Sequence, residues 1–273
     1  MSSVSCASSQ NLSTQTDFKV LFNGKDFTGW YTYQREPEPT SCVTGLKMED
    51  DKYVEPIGLN RDPLGVFTVV KLDGESVIRI SGETFGILVS DKEFENYHLS
   101  LEFKWGEKKY PPRENSKRDS GILYHSFGSE GSRGGVWMKS VECQIQEGDV
   151  GDLWCVDGTI AKVNVVKEEN GKPKYDPSGS LQTFDSRGER YCPKSIDYEK
   201  PIGEWNRVDI YTYGDESIHL VNGQINMHVK GMKYFVDQKL KPLTKGKIQL
   251  QSEGSEVFYR NIRIKPISKM LDL

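Results

Sequence analysis

The sequence predicts an all-β protein in which two antiparallel sheets pack face to face as a jelly-roll sandwich. Many short segments alternate apolar and polar residues, which is the period of a half-buried strand. Turn signals such as Asp73-Gly74 and Asn222-Gly223 separate these segments. Helical periodicity is convincing nowhere along the chain. Short strands that follow one another without intervening helices are typical of an antiparallel sandwich.

In the N-terminal half, each predicted strand ends near a glycine, asparagine or proline turn. These strands are Phe18–Phe22, Phe67–Leu72, Ser76–Ile80, Gly86–Val89, Tyr97–Trp105 and Gly121–His125. The polar, proline-bearing residues 30–62 predict a long surface excursion, and residues 106–117 a charged loop. The glycine-rich loop 128–135 leads the chain into its second half.

The C-terminal half continues the same pattern to the end of the folded region. Its predicted strands are Val141–Gln146, Thr159–Val166, Trp205–Tyr213, Ser217–Val221, Gln224–Val229, Lys247–Gln251 and Val257–Lys265. Residues 167–200 have prolines, glycines and no sustained period, which indicates a long insertion of the kind that often walls a binding site. We therefore predict a single β-sandwich domain over residues 18–268.

Residues 1–17 are rich in serine, threonine and glutamine, and we expect them to form a disordered leader or tether. They contain no apolar segment of a complete signal peptide. The sequence around Cys6 resembles the lipid-attachment site of a bacterial lipoprotein, although an ordinary unstructured cysteine is an equal alternative. The lipoprotein interpretation predicts a periplasmic or cell-surface protein with a lipid anchor at Cys6.

Composition limits the class of ligand. A net charge of −4 and a pI near 5.7 argue against nucleic acid as a partner. No apolar run approaches the length of a membrane span. The remaining cysteines, Cys42, Cys143, Cys155 and Cys192, lack the spacing of a zinc knuckle. A small, polar and largely uncharged substrate fits these limits best.

The stretch Val141–Trp154 has the highest density of candidate site residues. Its first part alternates, so Glu142 and Gln144 share the polar face of a strand, opposite Cys143. Its second part is a glycine-punctuated loop that adds Glu147, Asp149 and Asp152 beside Trp154. These loop carboxylates, together with Glu142 and His125, could hold a divalent metal ion, for which Asp152 is the candidate ligand. Solvated loop carboxylates are the alternative.

Further candidates lie on other strands. His125 ends the predicted strand Gly121–His125 near Arg118 and Asp119, where it could transfer a proton while the two charged residues bind substrate, although a hydrogen-bonded surface histidine is an equal alternative. Gln251 and Glu253 occupy alternating positions that form a second polar stripe, and both are candidates for substrate binding. The amides of Gln144 and Gln251 could form hydrogen bonds with sugar hydroxyls. Trp137 and Trp154 could stack on the apolar face of a sugar, although a tryptophan is more often part of a core.

The order and spacing of several motifs resemble the 3-keto-disaccharide hydrolase family over residues 18–266. The motifs are LFNGKDFTGW at 21–30, 94–105, DSGI at 119–122, ECQI at 142–145, GEWNRV at 203–208, VNG at 221–223 and FYRNIRI at 258–264. This resemblance implies a concanavalin A-like jelly roll that acts on 3-keto glycosides outside the cytoplasm.

Cleavage of such a substrate begins with its acidic C2 hydrogen, because the neighbouring C3 ketone stabilises the resulting enolate. The glycosidic oxygen at C1 can then leave by elimination, and addition of water completes a net hydrolysis. The site needs a base, a group that stabilises the enolate oxygen, and an acid for the leaving group. Glu142 is the first candidate for the base or a metal ligand because a rigid strand fixes its direction; His125 is the second.

Two alternatives use the same carbohydrate-binding architecture. The spacing Glu142-x-Gln144-x-x-Glu147 is similar to the strand signature of retaining β-glucanases, with glutamine in place of the central aspartate. Glu142 and Glu147 would then have to approach to roughly 5 Å. A non-catalytic carbohydrate-binding module is the other alternative, and it would present exposed aromatic residues without convergent titratable groups.

Overall fold

A computed structural model describes residues 18–237 and 239–272 of the chain. Within these ranges the structure contains strands and no helix. The strands are β1 Lys19–Val20, β2 Trp30–Gln34, β3 Met48–Glu49, β4 Lys52–Tyr53, β5 Gly58–Leu59, β6 Phe67–Leu72, β7 Glu75–Ile80, β8 Gly86–Ser90, β9 Phe94–Glu95, β10 Tyr97–Lys109, β11 Asp119–Phe127, β12 Lys139–Gln146, β13 Leu153–Val156, β14 Thr159–Lys167, β15 Pro173–Tyr175, β16 Ser180–Asp185, β17 Tyr191–Cys192, β18 Asn206–Tyr213, β19 Glu216–Val221, β20 Gln224–Val236, β21 Lys239–Pro242, β22 Lys245–Ser252 and β23 Ser255–Pro266.

Two large antiparallel sheets and one small hairpin contain all of these strands. Sheet I has 12 strands, with the central order β15-β14-β20-β19-β18-β10-β23-β7-β6. Sheet II has nine strands, with the order β17-β13-β12-β11-β22-β8-β2-β5 and β9 paired to β22. The small hairpin pairs β3 with β4. The predicted all-β antiparallel sandwich is confirmed.

The main core lies between the two sheets. Large aromatic side chains from both sheets are fully buried there, among them Tyr97, Phe103, Tyr124 and Tyr259. Burial of each such side chain contributes about 1.5–3 kcal/mol, so strict alternation along every central strand is strongly favoured. On β12 the inward residues include Cys143, which is buried as predicted. The alternate residues of β12 must then face the opposite side of sheet II.

A second, smaller apolar cluster covers part of that opposite side. Ile87 and Val89 of β8 pack there against Val136 and Met138, which belong to the loop before β12. Trp137 packs against the same cluster. The loop therefore folds back over sheet II and makes one wall of a cleft above the polar half of the sheet.

The structure corrects two expectations about irregular segments. Residues 30–62 are not simply a surface excursion, because β2 lies inside sheet II between β8 and β5 and buries Trp30 and Gln34. Residues 167–200 contain the short strands β15, β16 and β17, of which β17 extends sheet II. The expected tether and Cys6 lie outside the described residues. Across the described ranges, no helix is long and apolar enough to cross a membrane.

Candidate active site

The polar face of sheet II is assembled by the register of four neighbouring strands. Gly121 of β11 lies opposite Gln144 of β12, and Glu142 of β12 lies opposite Trp154 of β13. On the other flank of β11, β22 brings in Gln251. Because side chains alternate between the faces of a strand, all of these residues point away from the core.

These residues line a cavity with a volume of about 330 Å³. Its lining combines acidic, amide, arginine and aromatic side chains. The lining residues are Arg113, Asp119, Arg133, Gly134, Trp137, Glu142, Gln144, Gln146, Trp154, Val156, Arg190, Gln251 and Glu253. A concave site with a few convergent polar groups is the expected form of a small-molecule binding site.

Gly121 creates the space at the floor of this cavity. A Cβ atom at this position would lie 2.7 Å from Oε1 of Gln251 and closer still to Oε1 of Glu142. The missing side chain lets the Glu142 and Gln251 side chains meet above β11. A side chain at this position would therefore displace the ends of the Glu142 and Gln251 side chains, although its φ is not in the left-handed region.

One side of the cavity is an ion-pair network centred on Arg113. Its Nη2 donates to Oδ2 of Asp119 at 2.5 Å, and its Nη1 donates to Oε1 of Glu253 at 3.2 Å. Asp119 also accepts from Nε2 of Gln146 at 2.5 Å and from Nε2 of Gln144 at 3.3 Å. Burial and the nearby Glu253 raise the pKa of Asp119, whereas Arg113 opposes this rise. Through these bonds Asp119 holds the amide nitrogens of Gln144 and Gln146 in place on β12.

Glu142 is the carboxyl group that the network leaves without a cation. It is 6% exposed, and no ion pair among residues 18–237 and 239–272 includes it. Burial, followed by the charges of Asp119 and Glu253, raises the pKa of Glu142 well above its usual value. Arg190 and a hydrogen bond with Gln251 oppose this rise. Such a carboxyl group is a stronger base than usual once it is ionised.

Arg190 is the complementary cation on the other side of the cavity. Its guanidinium carbon lies 4.6 Å from the centre of the Trp154 ring, and this ring packs at 4.5 Å against Tyr191. In the described part of the chain, Arg190 makes no ion pair. The buried Nε1 of Trp154 and Oε1 atoms of Gln144 and Gln251 likewise have no hydrogen-bond partner there. Buried polar groups are normally satisfied, so these atoms indicate groups that a ligand would complete.

Seven predicted site residues meet at this cavity: Asp119, Trp137, Glu142, Gln144, Trp154, Gln251 and Glu253. The sequence prediction missed Arg113, Arg133, Gln146 and Arg190. Gln146 continues the alternation of β12 and could have been included on that pattern. The arginines lie in irregular segments or at a strand edge, where no period predicts their direction.

His125 does not reach the cavity, which corrects its prediction as a catalytic residue. It is fully buried and lies edge-on to the rings of Tyr97 and Tyr124, with centroid distances of 5.7 and 5.4 Å. His125 has a φ of 50° and lies where the register of β11 shifts against both neighbouring strands, β12 and β22. A bulge re-aims the side chains that follow it, so the simple alternation assumed for this strand fails here. Burial lowers the pKa of His125 to about 3, which keeps the ring neutral.

Glu147 and Arg118 are also placed outside the cavity, contrary to their predicted catalytic and substrate-binding roles. They form an ion pair at 3.2 Å with each other, and Arg118 Nε donates to the Gly106 carbonyl of sheet I at 3.1 Å. Glu147 lies beyond the last residue of β12, so the alternation that aims Glu142 no longer applies to it. The pairing of Glu142 with Glu147 that a retaining β-glucanase would need is not formed.

Asp152, the predicted metal ligand, takes part in a network of hydrogen bonds and an ion pair with Tyr191 and Lys194. Its Oδ2 accepts from the Tyr191 hydroxyl at 2.5 Å, and its Oδ1 accepts from the Lys194 backbone N–H at 2.9 Å. The Lys194 ammonium lies 3.5 Å from the same carboxylate. Over residues 18–237 and 239–272, no group of three or more His, Cys, Asp and Glu side chains is arranged to hold a metal ion. Asp152 thus anchors β17, which follows Arg190 in the chain.

Comparison with known proteins identifies the family. A model of the 3-keto-alpha-glucoside-1,2-lyase-like domain matches residues 17–265. The chain belongs to this family. The predicted resemblance is confirmed, and membership places the chain among carbohydrate-acting, glycosidase-like proteins.

Individual relatives are distant. A 3-keto-disaccharide hydrolase of Bacteroides thetaiotaomicron is 22% identical over 276 residues, which cover 90% of this chain and 77% of that protein. A crystal structure of a candidate glycosyl hydrolase from Parabacteroides distasonis is 20% identical, with a TM-score of 0.45, and covers 92% of this chain and 94% of that chain. The carbohydrate-binding module CBM66 from Bacillus subtilis is 10% identical, with a TM-score of 0.40, and covers 73% of this chain and 91% of that chain.

Proposed function

We propose that this protein cleaves 3-keto glycosides by removing the C2 proton and eliminating the group at C1. The observation that carries the proposal is the arrangement of two charged groups in one cavity. Among the described residues, the buried Glu142 carboxyl has no cation partner and Arg190 forms no ion pair. Membership in the lyase-like family supports the same chemistry.

The reaction uses Glu142 as a general base. Its carboxylate takes the C2 proton, and the electrons of the C–H bond pass to the C3 ketone to give an enolate. When the enolate collapses, its electron pair forms a double bond between C1 and C2. The electron pair of the C1–O bond leaves with the glycosidic oxygen, which then receives a proton. Water adds across the double bond to give the free 3-keto sugar when the outcome is net hydrolysis. The raised pKa of Glu142 favours both proton transfers. The ionised carboxylate is a stronger base toward the C2 proton, and the protonated carboxyl can then donate that proton to the departing oxygen.

Arg190 and Trp154 supply the donors for the oxygen anions of this reaction. Negative charge develops on the C3 oxygen and then on the departing oxygen. The planar guanidinium of Arg190 presents several N–H donors, and the buried Trp154 Nε1–H is unpartnered. Donors that are already fixed in place cost no reorganisation when the charge appears.

The remaining lining suits an uncharged sugar. The unpartnered amide oxygens of Gln144 and Gln251 can accept hydrogen bonds from sugar hydroxyls. Trp137 and Trp154 offer apolar ring faces at the cavity wall. The cavity lining contains three acidic residues and three arginines, so it has no excess charge that would select an ionic substrate.

The test is a turnover assay on paired sugars, a 3-keto glycoside and its unoxidised parent. We expect release of the aglycone from the 3-keto glycoside alone. Turnover of the parent glycoside would instead support a β-glucanase-like hydrolase. Saccharide binding without turnover of either compound would support a carbohydrate-binding module.

Three further predictions from the sequence stay proposals. A divalent ion would be an essential cofactor if exhaustive dialysis against EDTA abolished turnover and added metal restored it. A lipid anchor at Cys6 would be shown by the mass of the mature N-terminal peptide, and a periplasmic or cell-surface location by fractionation of the source cells.

A further inference from the structure

We propose that a second cavity, which shares Arg190 with the first, binds the leaving group of the glycoside and prefers a flat apolar group such as an aryl ring. This inference rests on the proposed function, because it assigns the other half of the same substrate. The second cavity has a volume of about 370 Å³, and its walls include Pro173, Gly188, Tyr191 and Pro193.

The two cavities share Arg190, and one residue of each lies in a single cross-strand row of sheet II. Trp154 of β13 lies opposite Glu142 on one side and opposite Tyr191 of β17 on the other. Adjacent strands are about 4.8 Å apart, so Tyr191 is roughly 10 Å from the Glu142 backbone across the sheet. A sugar above Glu142 and Trp154 would therefore direct its C1 substituent past Arg190 and onto Tyr191.

The walls of the second cavity differ chemically from those of the first. No asparagine or glutamine lines it, whereas Gln144, Gln146 and Gln251 line the first. Prolines and one tyrosine ring form its apolar surface instead. This difference favours an apolar group over a second hydroxylated sugar, which would require amide or carboxylate partners.

The acidic groups at its rim already have partners. Glu168 lies 3.8 Å from the Lys174 ammonium, and Glu189 accepts from Nε2 of Gln182 at 2.9 Å. The Tyr191 hydroxyl donates to Asp152, which leaves the ring itself as the available surface.

The apolar walls are also held in place before any ligand binds. The Pro193 carbonyl accepts from the Tyr175 backbone N–H at 2.9 Å, and Pro173 is buried within the pairing of β14 and β15. Because ordering flexible walls on binding costs free energy, this fixed geometry favours the binding of a rigid ring.

Gly188 offers a way to block the second cavity alone. A Cβ atom at this position would meet no other atom within 4 Å, and Gly188 does not line the first cavity. The variant Gly188→Trp should therefore fold and fill the second cavity with its indole. Lys172→Trp introduces the same side chain from another exposed lining position and serves as the second variant. Lys71→Trp is the matched control, since Lys71 is exposed on β6 at the far edge of sheet I.

Calorimetric titration with phenyl and methyl glucosides tests the inference directly. The wild type should bind the phenyl compound about ten-fold or more tightly, because burial of the ring adds apolar contact. Gly188→Trp and Lys172→Trp should lose this preference and bind the methyl compound as before, and Lys71→Trp should retain it. Equal affinity of the wild type for the two compounds, absence of binding, or a preference that survives both blocking variants would overturn the inference.

Turnover of the corresponding 3-keto glycosides separates this inference from the proposed function. If the wild type cleaves both compounds with equal KM values, the proposed function stands and the leaving-group cavity is wrong. If the phenyl preference is present and lost in the variants while neither 3-keto compound is cleaved, the cavity stands and the proposed reaction is wrong.

Discussion

The two halves of the stretch Val141–Trp154 contain the same kind of side chain in opposite electrostatic settings. In the loop, Glu147 pairs with Arg118 at 3.2 Å, and Asp152 lies 3.5 Å from the ammonium of buried Lys194. Asp149 of the same loop pairs with Lys117 at 2.8 Å. In the strand, Glu142 has no such partner within the described residues.

The pKa values of the two glutamates move in opposite directions for this reason. Partial burial raises the pKa of Glu147, but the hydrogen bonds and charge of Arg118 outweigh this effect and hold the pKa below its usual range. Burial and nearby carboxylates raise the pKa of Glu142 instead. A carboxylate paired with a cation, such as Glu147, stabilises a loop, whereas one buried without a cation is available for proton transfer. Burial acts on the loop as well, since it raises the pKa of Asp152 despite the nearby Lys194 ammonium.

The largest expected effect is the difference in activity between variants that lack the strand glutamate and the loop glutamate. Glu142→Gln should lower kcat by about 10²–10⁴-fold, the contribution typical of a general base, with the fold retained. The matched control Glu147→Gln should keep kcat within about two-fold, because a surface ion pair contributes only about 0–1 kcal/mol. Single-turnover rates on a 3-keto glycoside measure both. Equal losses in the two variants would show that the strand and loop glutamates are not distinguished by their partners.

The next largest effect is expected where the floor of the cavity is closed. In Gly121→Ala the new Cβ would displace Glu142 and Gln251, and displacement of a catalytic group by about 1 Å can cost on the order of 10²-fold in rate. Gly188→Ala is the control, because its Cβ would enter open space. Rates for both variants, with circular dichroism to show that each is folded, provide the measurement. A fully active Gly121→Ala enzyme would contradict the placement of Glu142 above β11.

Loss of a loop carboxylate should affect stability more than chemistry. Asp152→Asn leaves the Lys194 ammonium, which is 7% exposed, without its buried counter-charge. Removing one partner of a buried pair costs about 3 kcal/mol of unfolding free energy. Because Asp152 also holds Tyr191 beside Trp154, KM should rise more than kcat falls. Urea denaturation and steady-state kinetics measure the two effects, and an unchanged midpoint would remove Asp152 from this structural role.

The smallest expected effect is a pH-dependent shift in stability. Burial in the folded state raises the pKa of Glu142 well above its usual value, so the folded protein favours the protonated form. The stability contribution of this group is fully present below the unfolded pKa and is lost as pH rises through the folded pKa. Relative to the wild type, Glu142→Gln should therefore gain stability as pH rises from 4 to 8, which thermal unfolding can follow.

The activity of the wild type should have the opposite dependence on pH. The base must be ionised, so kcat/KM should rise through a pKa that lies above the usual range of a glutamate. A rising limb near pH 4.5 would show that Glu142 is not in the buried environment described here.

Periodicity accounted for much of the site. The alternation of β12 placed Glu142 and Gln144 together, and Gln251 followed from the same argument on β22. At His125 a bulge and a left-handed φ interrupt the period, so its direction could not be predicted from alternation. The role predicted for Glu147 rested on its spacing from Glu142 and not on alternation, and Glu147 follows the last residue of β12. Arg190 could not be predicted, since its direction depends on contacts of the 167–200 segment with Trp154.

The sequence alone determined the all-β sandwich, its principal strands and the face of β12 that carries Glu142. These properties are local, because side-chain alternation and turn residues act over a few positions of the chain. The tertiary structure decided which carboxylates acquired a cation and which did not. Charge pairing joins residues far apart in sequence, as when Arg113 reaches Glu253 or Asp152 reaches Lys194, and the identity of the unpaired Glu142 follows only after those partners have been placed.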